Sequence, residues 1–228
     1  MNWQISSLDK YTLVSNSDAH SLRKIGREAN AFEIDPEKLS YAEIIRIIKD
    51  NDPKEFLYTI EFFPEEGKYH LDGHRDCKFS CEPSKTKKLG GICPVCGKKL
   101  LVGVLNRVDE LSDREYGFEP QSRVPYKSVI PLEEIIAETL DVGVASKKVS
   151  GFYERMTSQR PEFDILLDLD KDQISKISNP QIAESVIRVR EGRVALEGGY
   201  DGVFGKIKIY SEEEREKLFS KPKQESLF

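Results

Sequence analysis

Four cysteines are the residues whose spacing speaks most directly of chemistry. They stand as Cys77-x3-Cys81-x11-Cys93-x2-Cys96 and account for every cysteine in the chain. The second pair lies in Cys93-Pro94-Val95-Cys96-Gly97, a tight turn that sets two thiolates on one side of the backbone while the glycine relieves crowding behind them. Four thiolates at about 2.3 Å close a tetrahedral shell around Zn²⁺ and leave no position for water, so the predicted site is structural and not catalytic. The competing reading is a pair of disulfides, and nothing in the sequence marks the chain as secreted. His70 and His74 lie just upstream and are alternative ligands in place of one cysteine.

Charge inverts around these cysteines. The whole chain carries 35 Lys+Arg against 40 Asp+Glu, a net charge of -5, which repels phosphate at long range. Between 75 and 99, however, Arg75, Lys78, Lys85, Lys87, Lys88, Lys98 and Lys99 face only Asp76 and Glu82, a local balance of +5. A solvated lysine loop is the bland reading. Cations on a metal-held knuckle suit phosphate contacts, and His74, Arg75, Lys85, Lys87 and Lys88 are the candidate DNA contacts.

Asp18 and His20 form a second constellation. They alternate after the strand-like run Tyr11-Thr12-Leu13-Val14, which directs both side chains to one side, and a carboxylate with an imidazole suits a divalent metal that activates water for phosphoester hydrolysis. Asp-x-His also arises by chance in polar loops. A third feature is the glycine-rich tract Gly198 to Gly205, read as a hairpin turn whose glycines permit positive φ. Its functional alternative is a loop that approaches DNA, with Tyr200 or Phe204 stacking on a base. A nucleotide-driven motor is excluded, because Gly91 to Lys98 and Gly199 to Lys206 each place five residues between the glycines and neither continues into Ser or Thr.

The elements that must position these groups suggest an α+β chain in four parts. In 1–50, Ser40 and Glu43 make a capping box ahead of Ile44, Ile45, Ile47 and Ile48, a helix with one apolar face. The zinc-binding part, 51–115, runs from the apolar stretch Phe56 to Phe62 to a helix carrying Leu101, Val104, Leu105, Val108 and Leu111. In 116–220, a mostly helical DNA-binding part, Pro131 starts one helix and Gly143 separates it from another at about 146–157. Further helices are expected over 180–190 and 211–219, and the segments flanking the glycine-rich tract pair as a β-hairpin. The acidic residues Asp164, Asp168, Asp170 and Asp172 are read as a solvated strand end and helix start. Leu140 to Ala145 resembles a helix-hairpin-helix turn only faintly, so a helical hairpin packed in the core is expected there. No apolar run is long enough for a membrane span and no signal peptide is evident, so a cytoplasmic location is expected.

Several of these segments, taken together, resemble the endonuclease Q family. They are Leu8 to Ser21 with Ile25 to Asn30, Asp72-Gly73-His74-Arg75, Gly91 to Gly97, and Gly199 to Ile207. Members of that family join a polymerase-and-histidinol-phosphatase metallohydrolase domain to zinc-binding and helical regions. They nick DNA beside uracil, hypoxanthine and abasic sites. The resemblance implies that Asp18 and His20 are ligands of catalytic divalent metals and that 1–50 is the remnant of a metallohydrolase barrel. The family's earlier ligands are missing and only three histidines are present, so the chain is expected to be an N-terminally truncated member that does not cleave DNA alone. The alternative function is a non-catalytic, zinc-dependent DNA-binding or adaptor module.

The last part, 221–228, follows a charged, proline-bearing linker and is expected to be a free tail. Its Gln224, Leu227 and Phe228 resemble the Gln-x-x-Leu-Phe pentapeptide that binds the bacterial sliding clamp. Burying the two apolar side chains contributes on the order of 3 to 5 kcal/mol before ordering costs, which corresponds to micromolar binding. A peptide covering 221–228, titrated against the organism's own clamp, is expected to bind, whereas its Leu227→Ala, Phe228→Ala counterpart is not. Equal binding of the two peptides removes the clamp from the list of partners.

Overall fold

The apolar stretch that opens at Phe56 becomes the middle strand of a small mixed sheet in the computed structural model, which describes residues 1–121 and 123–219. Among its strands are β1 (Ala29–Phe32), β2 (Phe56–Glu61), β3 (Asp72–His74), β4 (Phe79–Cys81) and β5 (Tyr126–Ser128). β2 pairs antiparallel with β1, from Ala29 opposite Ile60 to Phe32 opposite Phe56, and parallel with β5. Helix α1 (Tyr41–Asp50) starts where Ser40 Oγ accepts the Glu43 N–H at 3.2 Å and buries Ile47. Only half of the expected capping box forms, because the Glu43 carboxylate turns to Arg46 instead.

Two expectations are corrected here. The run 11–14 is not a strand. Its continuation is held by a side chain: Ser15 N–H donates to Asn30 Oδ1 at 2.9 Å, and Asn30 Nδ2 donates to the Ser15 carbonyl at 2.7 Å. An amide side chain thereby takes the place of a backbone partner. The division at 50/51 also differs from the observed one, because β1 and β2 share a sheet. Residues 1–131 and 197–206 form one unit, and a second covers 132–196 and resumes at 207.

Within the first unit β3 and β4 make a hairpin, with Asp72 opposite Cys81 and His74 opposite Phe79. The fully buried Asp72 accepts the Gly103 N–H at 2.7 Å and the Asn106 amide at 2.6 Å, which ties the hairpin to the start of α3 (Val104–Leu111). A short helix, α2 (Pro83–Lys88), follows β4. The segment 197–206 packs onto this hairpin. Leu71 N–H donates to the Gly199 carbonyl, Gly199 N–H to Glu65, and Gly205 N–H to Glu66. Side chains at Gly199 or Gly205 would overlap the backbone of 65–67, so the close approach requires glycine.

The second unit is built from α4 (Leu132–Leu140), α5 (Lys147–Thr157), α6 (Lys171–Ile177), α7 (Pro180–Arg190) and α8 (Glu212–Phe219). The strands β6 (Ala195–Glu197) and β7 (Lys206–Lys208) form the expected hairpin. Ser146, Asp170 and Asn179 cap their helices through side chains, and Asp170 and Gln173 complete a capping box. The expected strand end at 164–168 is a π-helical turn. Its irregular carbonyls are satisfied by Arg190, whose guanidinium donates to Ile165, Leu166 and Leu169 at 2.8–3.0 Å. Thr139, Ser185 and Tyr210 share a chain of buried hydroxyl hydrogen bonds. No helix among the described residues is long and apolar enough to cross a membrane. Gln224, Leu227 and Phe228 lie outside the described residues.

Asp72→Ala leaves the Gly103 N–H and the Asn106 amide buried without an acceptor and is expected to lower unfolding free energy by about 2–4 kcal/mol. Asp72→Asn, which keeps one acceptor, costs less. Arg190→Lys cannot reach three carbonyls at once and is expected to destabilise by about 1–2 kcal/mol. Urea unfolding followed by circular dichroism measures all three.

Candidate metal centre and nucleic-acid surface

The hairpin brings His74, Cys77, Cys93 and Cys96 together, with their ligand atoms all within 4.8 Å of one another. His74 ends β3, and Cys77 lies in the tight turn that follows, closed by Lys78 at φ 50. Cys93 and Cys96 come from the Cys-Pro-x-Cys-Gly turn, where Gly97 takes φ 73 and donates its N–H to the Cys93 carbonyl at 2.9 Å. His74 Nδ1 lies 3.5 Å from Cys96 Sγ. Tetrahedral bonds of about 2.1–2.3 Å place ligand atoms roughly 3.5–3.8 Å apart, so this set fits a zinc-type ion.

Cys81 is not in the set, which corrects the expected four-cysteine site. It sits opposite Asp72, one same-face step or about 6.5 Å down the ladder from the rung of His74 and Phe79. There its thiol is buried with Cys93 and Leu100, 3.3 Å from Thr86 Oγ1. His70, the other alternative, is also buried elsewhere, with its carbonyl accepting the Leu105 N–H. The substitution restores a regularity, because His74-x2-Cys77 repeats the spacing of Cys93-x2-Cys96.

Electrostatics within the cluster favour a cation. The Cys77 thiol is pushed up to about 12 by its hydrogen bond with Cys96, by desolvation, and by the neighbouring Cys93. Desolvation also opposes ionisation of Cys93, yet its pKa is lowered overall because the N–H groups of Val95 and Cys96 point at the sulfur. The turn thus eases ionisation of Cys93, and a bound metal would supply the charge that compensates ionisation of Cys77.

The expected DNA contacts separate into several environments. His74 belongs to the metal set. Tyr200 is packed against Gly73, where a side chain would strike its ring, so Tyr200 is a packing residue and not a free stacking surface. Lys85 lies over the Phe79 ring, Lys87 pairs with Asp109, and Lys88 is exposed. Arg75 is exposed while its backbone N–H donates to Asp201 Oδ2 at 2.6 Å. Phe204 stands in solvent beneath Lys68, whose ammonium is 4.4 Å from the ring centre. Asp18 and His20 lie in an exposed loop, with Asp18 at φ 44 and the His20 ring 2.7 Å from the Asp18 carbonyl. Among the described residues no third metal-ligating side chain gathers with them. Two donors alone do not close the shell of a hydrolytic metal.

Purified chain is expected to contain one zinc per molecule. His74→Ala, Cys77→Ala, Cys93→Ala and Cys96→Ala should each abolish stoichiometric metal, whereas Cys81→Ala should keep it. Elemental analysis with a chromogenic chelator checks the set, and loss of metal in Cys81→Ala with retention in His74→Ala would reverse it.

Comparisons with known proteins place this chain beside several relatives. Residues 131–193 match the family model described as the MJ0043 C-terminal domain. The uncharacterized protein MJ0043 of Methanocaldococcus jannaschii is 34% identical over 209 residues, covering 89% of this chain and 26% of that protein. Protein YqxK of Bacillus subtilis is 29% identical over 205 residues, covering 90% of this chain and 48% of its own length. The chain thus spans less than half the length of these two relatives. The lesion-specific endonuclease PfuEndoQ from Pyrococcus furiosus matches with a TM-score of 0.81 at 30% identity, over 92% of this chain and 52% of that one. An endonuclease Q in complex with a 27-mer duplex substrate, with an abasic lesion at the active site, matches with a TM-score of 0.77 at 29% identity, over 99% of this chain and 55% of that one. Over the span that they share, this chain is similar in sequence and in fold to endonuclease Q.

Proposed function

We propose that this chain is the DNA-holding, C-terminal portion of a metal-dependent repair endonuclease that nicks beside deaminated bases (uracil and hypoxanthine) and abasic sites. The observation that carries the reading is its likeness, over 99% of its length, to an endonuclease Q whose structure contains a lesion-bearing duplex. A bound zinc would offset most of the charge of the three thiolates and hold the knuckle rigid, a structural role. The chain's own residues do the remaining work. The β3–β4 hairpin, α2 and the Cys93–Gly97 turn hold Arg75, Lys88, Lys98 and Lys99 on the surface, and fixed cations on an otherwise acidic chain attract phosphate where the body repels it.

Asp18 and His20 are assigned to the catalytic metal site of the complete enzyme, with further ligands supplied from beyond the described residues. Hydrolysis is therefore not assigned to this chain's residues alone. A DNA substrate agrees with a cytoplasmic location, and docking of Gln224, Leu227 and Phe228 on a sliding clamp would keep the enzyme close to DNA.

Fluorescence anisotropy with intact and abasic duplexes tests the reading. Binding is expected to weaken roughly tenfold or more as salt rises from about 50 to 200 mM, and Lys88→Glu with Lys98→Glu should weaken it on both duplexes. Binding that ignores salt and charge reversal would overturn the proposed surface. No nicking is expected with added divalent metal, and metal-dependent nicking lost in Asp18→Ala would show that the catalytic site is complete in this chain.

A further inference from the structure

One surface of the first unit is explained by neither the metal set nor the lysine-bearing α2. Two aromatic side chains stand in solvent there, Tyr69 at 51% and Phe204 at 64% exposure. Backbone hydrogen bonds hold their segments together. Gly202 N–H donates to the Lys68 carbonyl at 3.0 Å, Gly205 N–H to Glu66 at 3.1 Å, and Val104 N–H to Tyr69 at 2.7 Å. Both rings are thus carried on backbone that is already ordered, which removes much of the entropy cost of binding.

Cations frame the pair. Lys68 lies over the Phe204 ring, and Arg75 is exposed beside Gly202. Gly202 adopts φ +82, and a Cβ there would lie 3.8 Å from the Tyr69 hydroxyl and 3.5 Å from Arg75 Nη1. The glycine therefore leaves a notch open between a phenol and a guanidinium. Among the described residues neither of those two side chains has a hydrogen-bond or ion-pair partner. Of the nearby carboxylates, Asp76 is exposed and Asp201 accepts the Arg75 N–H.

Flat rings open to solvent beside unpaired cations match a ligand that is itself flat and anionic, which describes a nucleotide better than an apolar peptide. We infer that Tyr69 and Phe204 form a stacking platform for a DNA base that has lost its partner, with Arg75 and Lys68 on the adjoining phosphate. The inference rests on the DNA-binding reading above and names where the strand opposite the lesion is read. A base opposite an abasic site is the favoured occupant, because leaving its stack costs least when no pairing is broken. Tyr200 is packed on Gly73 and does not join the platform.

The test uses the full chain and two duplexes that differ only in an abasic site opposite a 2-aminopurine. The parent is expected to bind the abasic duplex about tenfold more tightly than the intact one and to change the 2-aminopurine fluorescence. Tyr69→Ala and Phe204→Ala should each lose that preference and that signal while keeping intact-duplex affinity and one metal per chain, and Tyr69→Trp should retain both. Alanine variants that bind and signal like the parent overturn the platform. A parent that binds both duplexes alike and leaves the fluorescence unchanged also overturns it while sparing the DNA-binding reading, whereas a parent that binds neither removes both.

Discussion

Three thiols and an imidazole held within 4.8 Å of one another impose the constraint around which the first unit is organised. The desolvated Cys77 thiol resists ionisation beside its neighbours, and a divalent ion would relieve that conflict by taking charge from the whole set. The gain requires the two halves of the site to arrive in register. A shift of one residue in the β3–β4 ladder would turn His74 to the other face. The register is secured away from the metal by the Asp72 carboxylate, which the Gly103 and Asn106 donors hold. A buried carboxyl group is tolerated at that position because hydrogen bonds replace the water it has lost.

The same hairpin receives a segment from much later in the chain. Residues 197–206 reach it through glycines that permit contacts closer than any side chain allows, and Asp201 fixes the Arg75 backbone just before the metal turn. The cations and exposed aromatics of this surface therefore stand on a framework assembled from sequence far apart. A net acidic chain can offer a local phosphate-binding surface because pairing and screening confine most of its negative charge, whereas the knuckle's cations remain on the outside.

The second unit solves a different problem, that of ending many short helices. Side-chain caps at Ser146, Asp170 and Asn179 satisfy the first N–H groups, and Arg190 gathers the carbonyls that a π-helical turn leaves exposed. The hydroxyl chain of Thr139, Ser185 and Tyr210 then anchors the segment that follows the β6–β7 hairpin. Each device satisfies backbone or hydroxyl groups that would otherwise be buried at a cost.

By itself the sequence determined whatever depends on neighbours in the chain. The helix after Ser40 was legible from its cap and apolar spacing, and those near 146 and 180 from the glycine and proline that bound them, as were the glycine-flanked hairpin and the clustering of the Cys93-Pro94-Val95-Cys96-Gly97 thiols. These signals are local, and backbone geometry makes them specific. The identity of the fourth ligand was only half legible. The x2 spacing of His74 and Cys77 was available, but four cysteines suggested a complete set, and the ladder register that removes Cys81 from it is a pairing between strands. Tertiary structure alone also decided that Tyr200 packs on Gly73, that Tyr69 and Phe204 stand exposed, and that β1 joins β2 across the expected boundary. Such outcomes depend on which distant segments meet, and spacing along one chain carries no measure of that distance.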